Sequence, residues 1–130
     1  MADGKIKIMV VDTLEVWRKV IKNHVQKTGD IEVVGEFASG VDAMVAIEEL
    51  NPDVIMLDAD MQEPGLITGI IASIRSSKPE MRFLLCVDAA KKNEVTSAMD
   101  FGVYDFITKP YQQNILLRAI RESMSNPVRG

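Results

Sequence analysis

The chain has one cysteine, one histidine, no long apolar run and no excess of positive charge. It also has no glycine-rich loop after its first apolar segment, and each of these shortages removes a class of function. Cys86 lies inside Phe83-Leu84-Leu85-Cys86-Val87 and reads as a small buried hydrophobe rather than a nucleophile or ligand. His24 has no second ligand at metal spacing and reads as a surface or boundary residue of a helix, not as the phosphorylated histidine of a transfer protein. No apolar stretch approaches the roughly 18 to 20 residues of a membrane span, and Met1-Ala2-Asp3-Gly4-Lys5 carries no signal-peptide core, so a cytoplasmic protein without membrane contact is expected. A formal net charge of −4 argues against a nucleic-acid surface, and no direct DNA contact is expected. Asp12-Thr13-Leu14-Glu15 is acidic where a nucleotide or flavin loop needs bare backbone N–H groups.

What is present fits one ordinary domain. At 130 residues the chain can bury a core without disulfides, and 47% hydrophobic with 26% charged residues is a globular balance. A single domain over residues 1–130 is expected, with its core at about 5–124 and residues 125–130 forming a tail or the start of a linker beyond the break at Pro127. No repeat or low-complexity stretch interrupts it.

Five β-rich runs, at 6–11, 31–37, 54–57, 82–87 and 105–108, alternate with five segments of helical period, at 14–28, 41–50, 66–76, 91–101 and 112–124. Gly29, Asn51-Pro52, Lys78-Pro79 and Gly102 act as stops. In the first helix Trp17, Val20, Ile21 and Val25 make an apolar stripe, with Arg18, Lys19 and Lys22 on the other side; Leu116, Ala119 and Ile120 repeat the pattern in the last. Strict alternation predicts a doubly wound, five-stranded parallel sheet covered on both faces, its central strands almost wholly apolar. Met44, Met99 and Met124 are expected to fill gaps between helices and sheet.

Three of the runs end in charge: Val10-Val11 in Asp12, Val54-Ile55-Met56-Leu57 in Asp58, and Phe106-Ile107-Thr108 in Lys109-Pro110. In open α/β sheets ligands bind beyond the carboxyl ends of the strands. Any one of these residues alone is an ordinary strand end meeting water, but the three together place two carboxylates and an ammonium in one crevice. An aspartate can attack phosphorus if the incoming charge is neutralised, and Mg²⁺ does this with one or two carboxylates plus the phosphate. Asp12 and Asp58 offer the carboxylates; Lys109 offers a point charge for another phosphoryl oxygen. Pro110 fixes the chain beyond it, through a cis bond if the turn is tight. As an exposed strand-end lysine, Lys109 is expected to matter more to signalling than to stability.

Ile8-Met9-Val10-Val11-Asp12, Glu32-Val33-Val34-Gly35, Asn51-Pro52-Asp53-Val54-Ile55-Met56-Leu57-Asp58 and Gly102-Val103-Tyr104-Asp105-Phe106-Ile107-Thr108-Lys109-Pro110 together carry a resemblance. From about Lys5 to Met124 the chain resembles the receiver domain of two-component response regulators, in particular the single-domain chemotaxis type and the receivers of chemotaxis methylesterases. The resemblance implies a flavodoxin-like receiver fold. It implies phosphorylation of Asp58 by a sensor histidine kinase, a phosphotransfer protein or a small phosphodonor. It implies Mg²⁺ on Asp12, Asp58 and the backbone carbonyl of Asp60, with Lys109 contacting the phosphoryl group. It implies readout by a downstream protein on the fourth helix, fifth strand and fifth helix, a face that also serves for homodimers. Such a domain is a signalling module rather than an enzyme, at most phosphorylating and dephosphorylating itself.

The chain departs from that pattern in several places. Thr13 replaces the second of two adjacent acidic residues, so Mg²⁺ is expected to bind more weakly, while Asp60 restores some negative field. The Ser or Thr that ends the fourth strand is matched by Val87 if Lys91-Lys92 keeps its usual distance, and by Asp88 after a one-residue shift; the first match is preferred, with Val87→Thr then expected to restore switching. Asp88 would then oppose phosphorylation unless it turns to solvent. Met61-Gln62-Glu63-Pro64-Gly65 shortens a loop, and Phe106, matching the family's rotating aromatic, lacks a hydroxyl and also reads as core. These departures keep open a phosphorylation-independent docking module. Asp58-Ala59-Asp60 also fits the Asp-x-Asp of haloacid-dehalogenase-type phosphohydrolases, but on the third strand rather than the first.

Overall fold

The computed structural model describes residues 4–60, 64–92 and 105–125. Strands β1 (Ile6–Val11), β2 (Ile31–Phe37), β3 (Val54–Asp58), β4 (Arg82–Asp88) and β5 (Asp105–Lys109) form one parallel sheet in the order β2-β1-β3-β4-β5. Among the described residues the helices are α1 (Glu15–Val25), α2 (Gly40–Leu50), α3 (Pro64–Ser77) and α4 (Gln113–Ser125), with a 3₁₀ turn at Ala89–Lys91. The helical segment expected at 91–101 falls outside the described residues beyond Lys92, as do Met61-Gln62-Glu63, Met99, Gly102 and the segment 126–130.

Side-chain alternation divides the core in two. Met9, Val11, Ile55, Leu57, Phe83, Leu85 and Val87 pack with α2 and α3, through Ala43, Ile47, Ile67 and Ile71. Ile8, Val10, Met56, Leu84, Cys86 and Ile107 pack with α1 and α4, through Ile21, Val25, Leu116 and Ile120. This is why β3 and β4 are almost wholly apolar: both faces are covered, so period-2 polar alternation is lost. The α1 stripe lies as expected, with Ile21 and Val25 buried and Trp17 and Val20 packed beside them; Met44 and Met124 flank the two clusters.

Local chemistry sets the joints. Ser39 caps α2 by accepting the Asp42 N–H, and Asn51 ends it in the left-handed region with φ 48°. Gly35 has no room for a side chain: a Cβ there would lie 2.6 Å from Leu50 Cδ1 and 3.0 Å from the Phe37 ring. It stands beside the register shift between Ile8 and Met9, where Val34 of β2 is left out of the pairing with β1. Asp53 clamps the start of β3 to β1, its N–H donating to Lys7 O at 2.7 Å and its carboxylate accepting the Lys7 N–H at 2.9 Å.

Candidate functional site

β3 and β5 each run one residue further than their apolar stretches, so Asp58 and Lys109 are the last residues of their strands, and Asp12 is the first residue past β1. All three are buried, at 2%, 4% and 8% exposure for Asp12, Asp58 and Lys109. Lys109 Nζ donates to Asp58 Oδ1 at 2.8 Å and lies 3.2 Å from Asp12 Oδ2 and 3.7 Å from Asp60 Oδ2. One ammonium thus serves three carboxylates at the carboxyl edge of the sheet. The expectation of an exposed strand-end lysine is corrected here: β5 pairs with β4 through Lys109, which turns its side chain inward under Trp17.

The carboxylates are held by the backbone. Asp12 Oδ1 accepts the Leu14 N–H at 2.8 Å, closing the turn into α1, while its Oδ2 is buried and accepts no hydrogen bond from the described residues. Asp58 Oδ1 also accepts the Asp60 N–H at 3.1 Å, and the Ala59 N–H donates to Cys86 O at 2.8 Å, tying the turn after β3 to β4. Burial pushes the Asp58 carboxyl above its ordinary value; the Lys109 hydrogen bond and charge oppose that rise and the charge of Asp12 adds to it. Burial disfavours the Lys109 ammonium, but its hydrogen bond to Asp58 and the charges of Asp58 and Asp12 outweigh this and raise its pKa. Lys109-Pro110 is a cis peptide bond.

A cleft of about 370 Å³ opens over this cluster, lined by Thr13, Leu14, Trp17, Asp88 and Lys91 around Asp58, Asp60 and Lys109. Thr13 is exposed at its rim. Val87 is absent from the lining: it is fully buried in the α2–α3 core, on the opposite side of the sheet from Cys86. The preference for Val87 as the residue facing the site is therefore corrected. Asp58 pairs with Cys86 and Lys109 with Asp88, so alternation along β4 gives Asp88 the side of the sheet that carries the site. The spacing to Lys91 misled because the 3₁₀ turn, capped by Asp88 Oδ1 on the Ala90 N–H at 2.8 Å, follows the strand directly. That cap ties one oxygen of the exposed Asp88 carboxylate into its own turn at the rim of the cleft. Phe106 is half-buried against the α2–α3 core.

Two side chains that sequence reasoning placed only in the stripe or on the polar face belong to the site. The Trp17 ring lies 5.6 Å from Lys109 Nζ and meets Tyr111 edge-on at 5.6 Å. Arg18, only 13% exposed, donates to Asp12 O and pairs with Glu36, bracing the turn that presents Asp12. The signal was available: the sole tryptophan and an arginine both fall on the first turns after Asp12.

Among the described residues no group of three or more His, Cys, Asp or Glu side chains is disposed to hold a metal ion. A Mg²⁺ site built on two carboxylates, a backbone oxygen and water is not such a group, and the donor set here suits it: all hard oxygens, with Asp12 Oδ2 buried and without a hydrogen bond from the described residues.

The chain matches the family described as response regulator receiver domain over residues 8–121. It is 32% identical over 118 residues to the chemotaxis protein CheY of Listeria monocytogenes, covering 91% of this chain and 98% of that protein. It is 32% identical over 123 residues to the response regulator protein VraR of Staphylococcus saprophyticus, covering 93% of this chain and 57% of that protein. The response regulator domain of Thermotoga maritima CheB superposes with a TM-score of 0.77 at 28% identity, covering 94% of this chain and 98% of that one. No helix among the described residues is long and apolar enough to cross a membrane.

Proposed function

The chain belongs to the response regulator receiver domain family of two-component signalling, and from that premise we propose that Asp58 is its phosphoacceptor. The observation that carries this reading is the buried Lys109 ammonium, 2.8 Å from Asp58 Oδ1 and 3.2 Å from Asp12 Oδ2 at the edge of the sheet where ligands enter. An Asp58 oxygen attacks the phosphorus of the donor, the new O–P bond forms, and the donor's own bond to phosphorus breaks with its electron pair. Lys109 shifts from carboxylate counter-ion to partner of a phosphoryl oxygen, while Arg18 and the Leu14 N–H keep Asp12 in place. Asp12, Asp58 and the backbone carbonyl of Asp60 would hold Mg²⁺, which when bound neutralises the charge on the transferred group.

The donor is a sensor histidine kinase or phosphotransfer protein in the cytoplasm, and a downstream protein or a second copy reads the face that includes β5 and α4. The Asp-x-Asp phosphohydrolase reading finds no support in the relatives the chain matches.

Incubation with acetyl phosphate and Mg²⁺ tests this. A phosphoryl adduct seen by intact-mass measurement, and missing in Asp58→Asn, is the expected result. No adduct in the unaltered chain would overturn phosphoacceptance and leave a docking module that works without phosphate.

A further inference from the structure

Asp60 does more in this site than lend a backbone carbonyl. Its Oδ2 accepts the N–H of Asp88 at 2.9 Å and lies 3.7 Å from Lys109 Nζ. Its own N–H meanwhile donates to Asp58 Oδ1 at 3.1 Å, and Asp60 lines the same cleft as Asp58. The carboxylate therefore bridges the end of β4 and the ammonium at the end of β5.

A phosphoryl group on Asp58 carries peripheral anionic oxygens that need donors within the same cleft. An ammonium and a strand-end backbone N–H are the donors suited to it. In this chain both are engaged by Asp60. Resting on the reading of Asp58 as phosphoacceptor, we propose that the Asp60 carboxylate is a built-in occupant of the phosphoryl subsite, which must swing out before Asp58 is phosphorylated.

The hold on Asp60 is of the kind that yields. Oδ2 has one hydrogen bond and one long ion pair, and Oδ1 is buried with no hydrogen-bond partner among the described residues. A carboxylate held by one hydrogen bond and one long ion pair is readily displaced by a stronger anion for the same donors, so this side chain is placed for competition. Three carboxylates share one ammonium here, and a phosphoryl group adds further negative charge unless one anion leaves. Asp60 is the one able to leave: its side chain is 17% exposed, against 3% and 6% for Asp12 and Asp58.

Side-chain variants at position 60 keep the backbone carbonyl, which separates this role from metal binding. Asp60→Asn removes the charge but keeps the bulk and an acceptor for the Asp88 N–H; Asp60→Ala removes all three. Asp60→Ser takes the place of Asp60→Ala should that variant not fold. The unaltered chain and both variants are followed for adduct formation with acetyl phosphate and Mg²⁺, and separately for binding of inorganic phosphate with Mg²⁺ by calorimetry. In the first assay the Asp58 oxygen bonds to phosphorus and acetate departs with the electron pair of the broken bond.

The expected order is Ala fastest, Asn intermediate and the unaltered chain slowest. Asp60→Ala should gain about tenfold in rate and similarly in phosphate affinity, because it vacates the Asp88 N–H and the space beside Lys109 as well as removing a charge, whereas Asp60→Asn, which removes the charge alone, should gain less. Rates and affinities equal to those of the unaltered chain would overturn the proposal. An equal gain in both variants would also overturn it, since charge alone would then explain the effect. If no chain forms an adduct, phosphoacceptance fails, and the phosphate titration still decides: tighter binding in Asp60→Ala upholds the occupant, unchanged binding removes it.

Discussion

Lys109 Nζ and Asp58 Oδ1 meet at 2.8 Å with both side chains only 6% exposed, so this ion pair is a buried one. Removing one member of a buried pair leaves the other charge unsatisfied, at about 3 to 5 kcal/mol. Lys109→Ala should therefore lower the melting temperature by about 10 to 20 °C, because three carboxylates are left without their ammonium. Adding Asp58→Asn should recover part of the loss, and a double-mutant cycle by chemical denaturation measures it. A variant as stable as the unaltered chain would show that Lys109 contributes only function.

Val87 and Asp88 are adjacent in sequence and lie on opposite sides of the sheet, so threonine has opposite consequences at the two positions. Val87 is fully buried among apolar side chains. Val87→Thr should lose about 1 to 2 kcal/mol by burying a hydroxyl in the α2–α3 core, with no change in adduct formation. Asp88→Thr instead brings a hydroxyl to the rim of the cleft and removes a charge, and should raise adduct yield with acetyl phosphate at nearly unchanged stability. The two melting curves and the two mass spectra distinguish these outcomes.

Much of this was legible in the sequence because the relevant physics is local. Strand positions followed from apolar runs between breakers, and Asp12, Asp58 and Lys109 stood out as charges closing those runs. Registers are not local. That Lys109 is buried depends on β5 pairing with β4 out to Asp88, and that Val87 faces the core depends on Cys86 pairing with Asp58. Neither pairing can be counted from spacing to Lys91-Lys92, because the length of the turn after β4 is set by the Asp88 cap. Trp17 fitted the apolar stripe equally well as plain core; its place over Lys109 emerges only when α1 and β5 are brought together.

Cys86 reports on the integrity of the sheet beneath the site. It is 2% exposed at the centre of β4, and burial pushes its thiol up to about 12. Reactivity requires thiolate and access, and both are missing in the folded chain. Aromatic disulfide reagents should label it at the rate at which the sheet opens, with labelling near-complete in denaturant. Rapid labelling under native conditions would mean that β4 opens without global unfolding.

Glu36 gives the fold a pH dependence away from the site. Its hydrogen bond from Lys22, then that from Arg18, holds the carboxyl below its ordinary value despite some desolvation. A carboxyl whose pKa is lower in the folded chain adds stability above its unfolded value of about 4.3, and that contribution disappears as the pH falls through the folded value. The side chain is 31% exposed, so solvent screening keeps the contribution near 0.5 kcal/mol. Glu36→Gln should be less stable than the unaltered chain by about that amount at neutral pH, and the gap should close on acidification below about pH 4. Urea melts of both chains across that range test the sign. Because Arg18 also donates to Asp12 O, the same variant should loosen the turn that presents Asp12 and weaken phosphate binding with Mg²⁺ at neutral pH, while Lys19→Gln, on the exposed side of α1, should leave it unchanged.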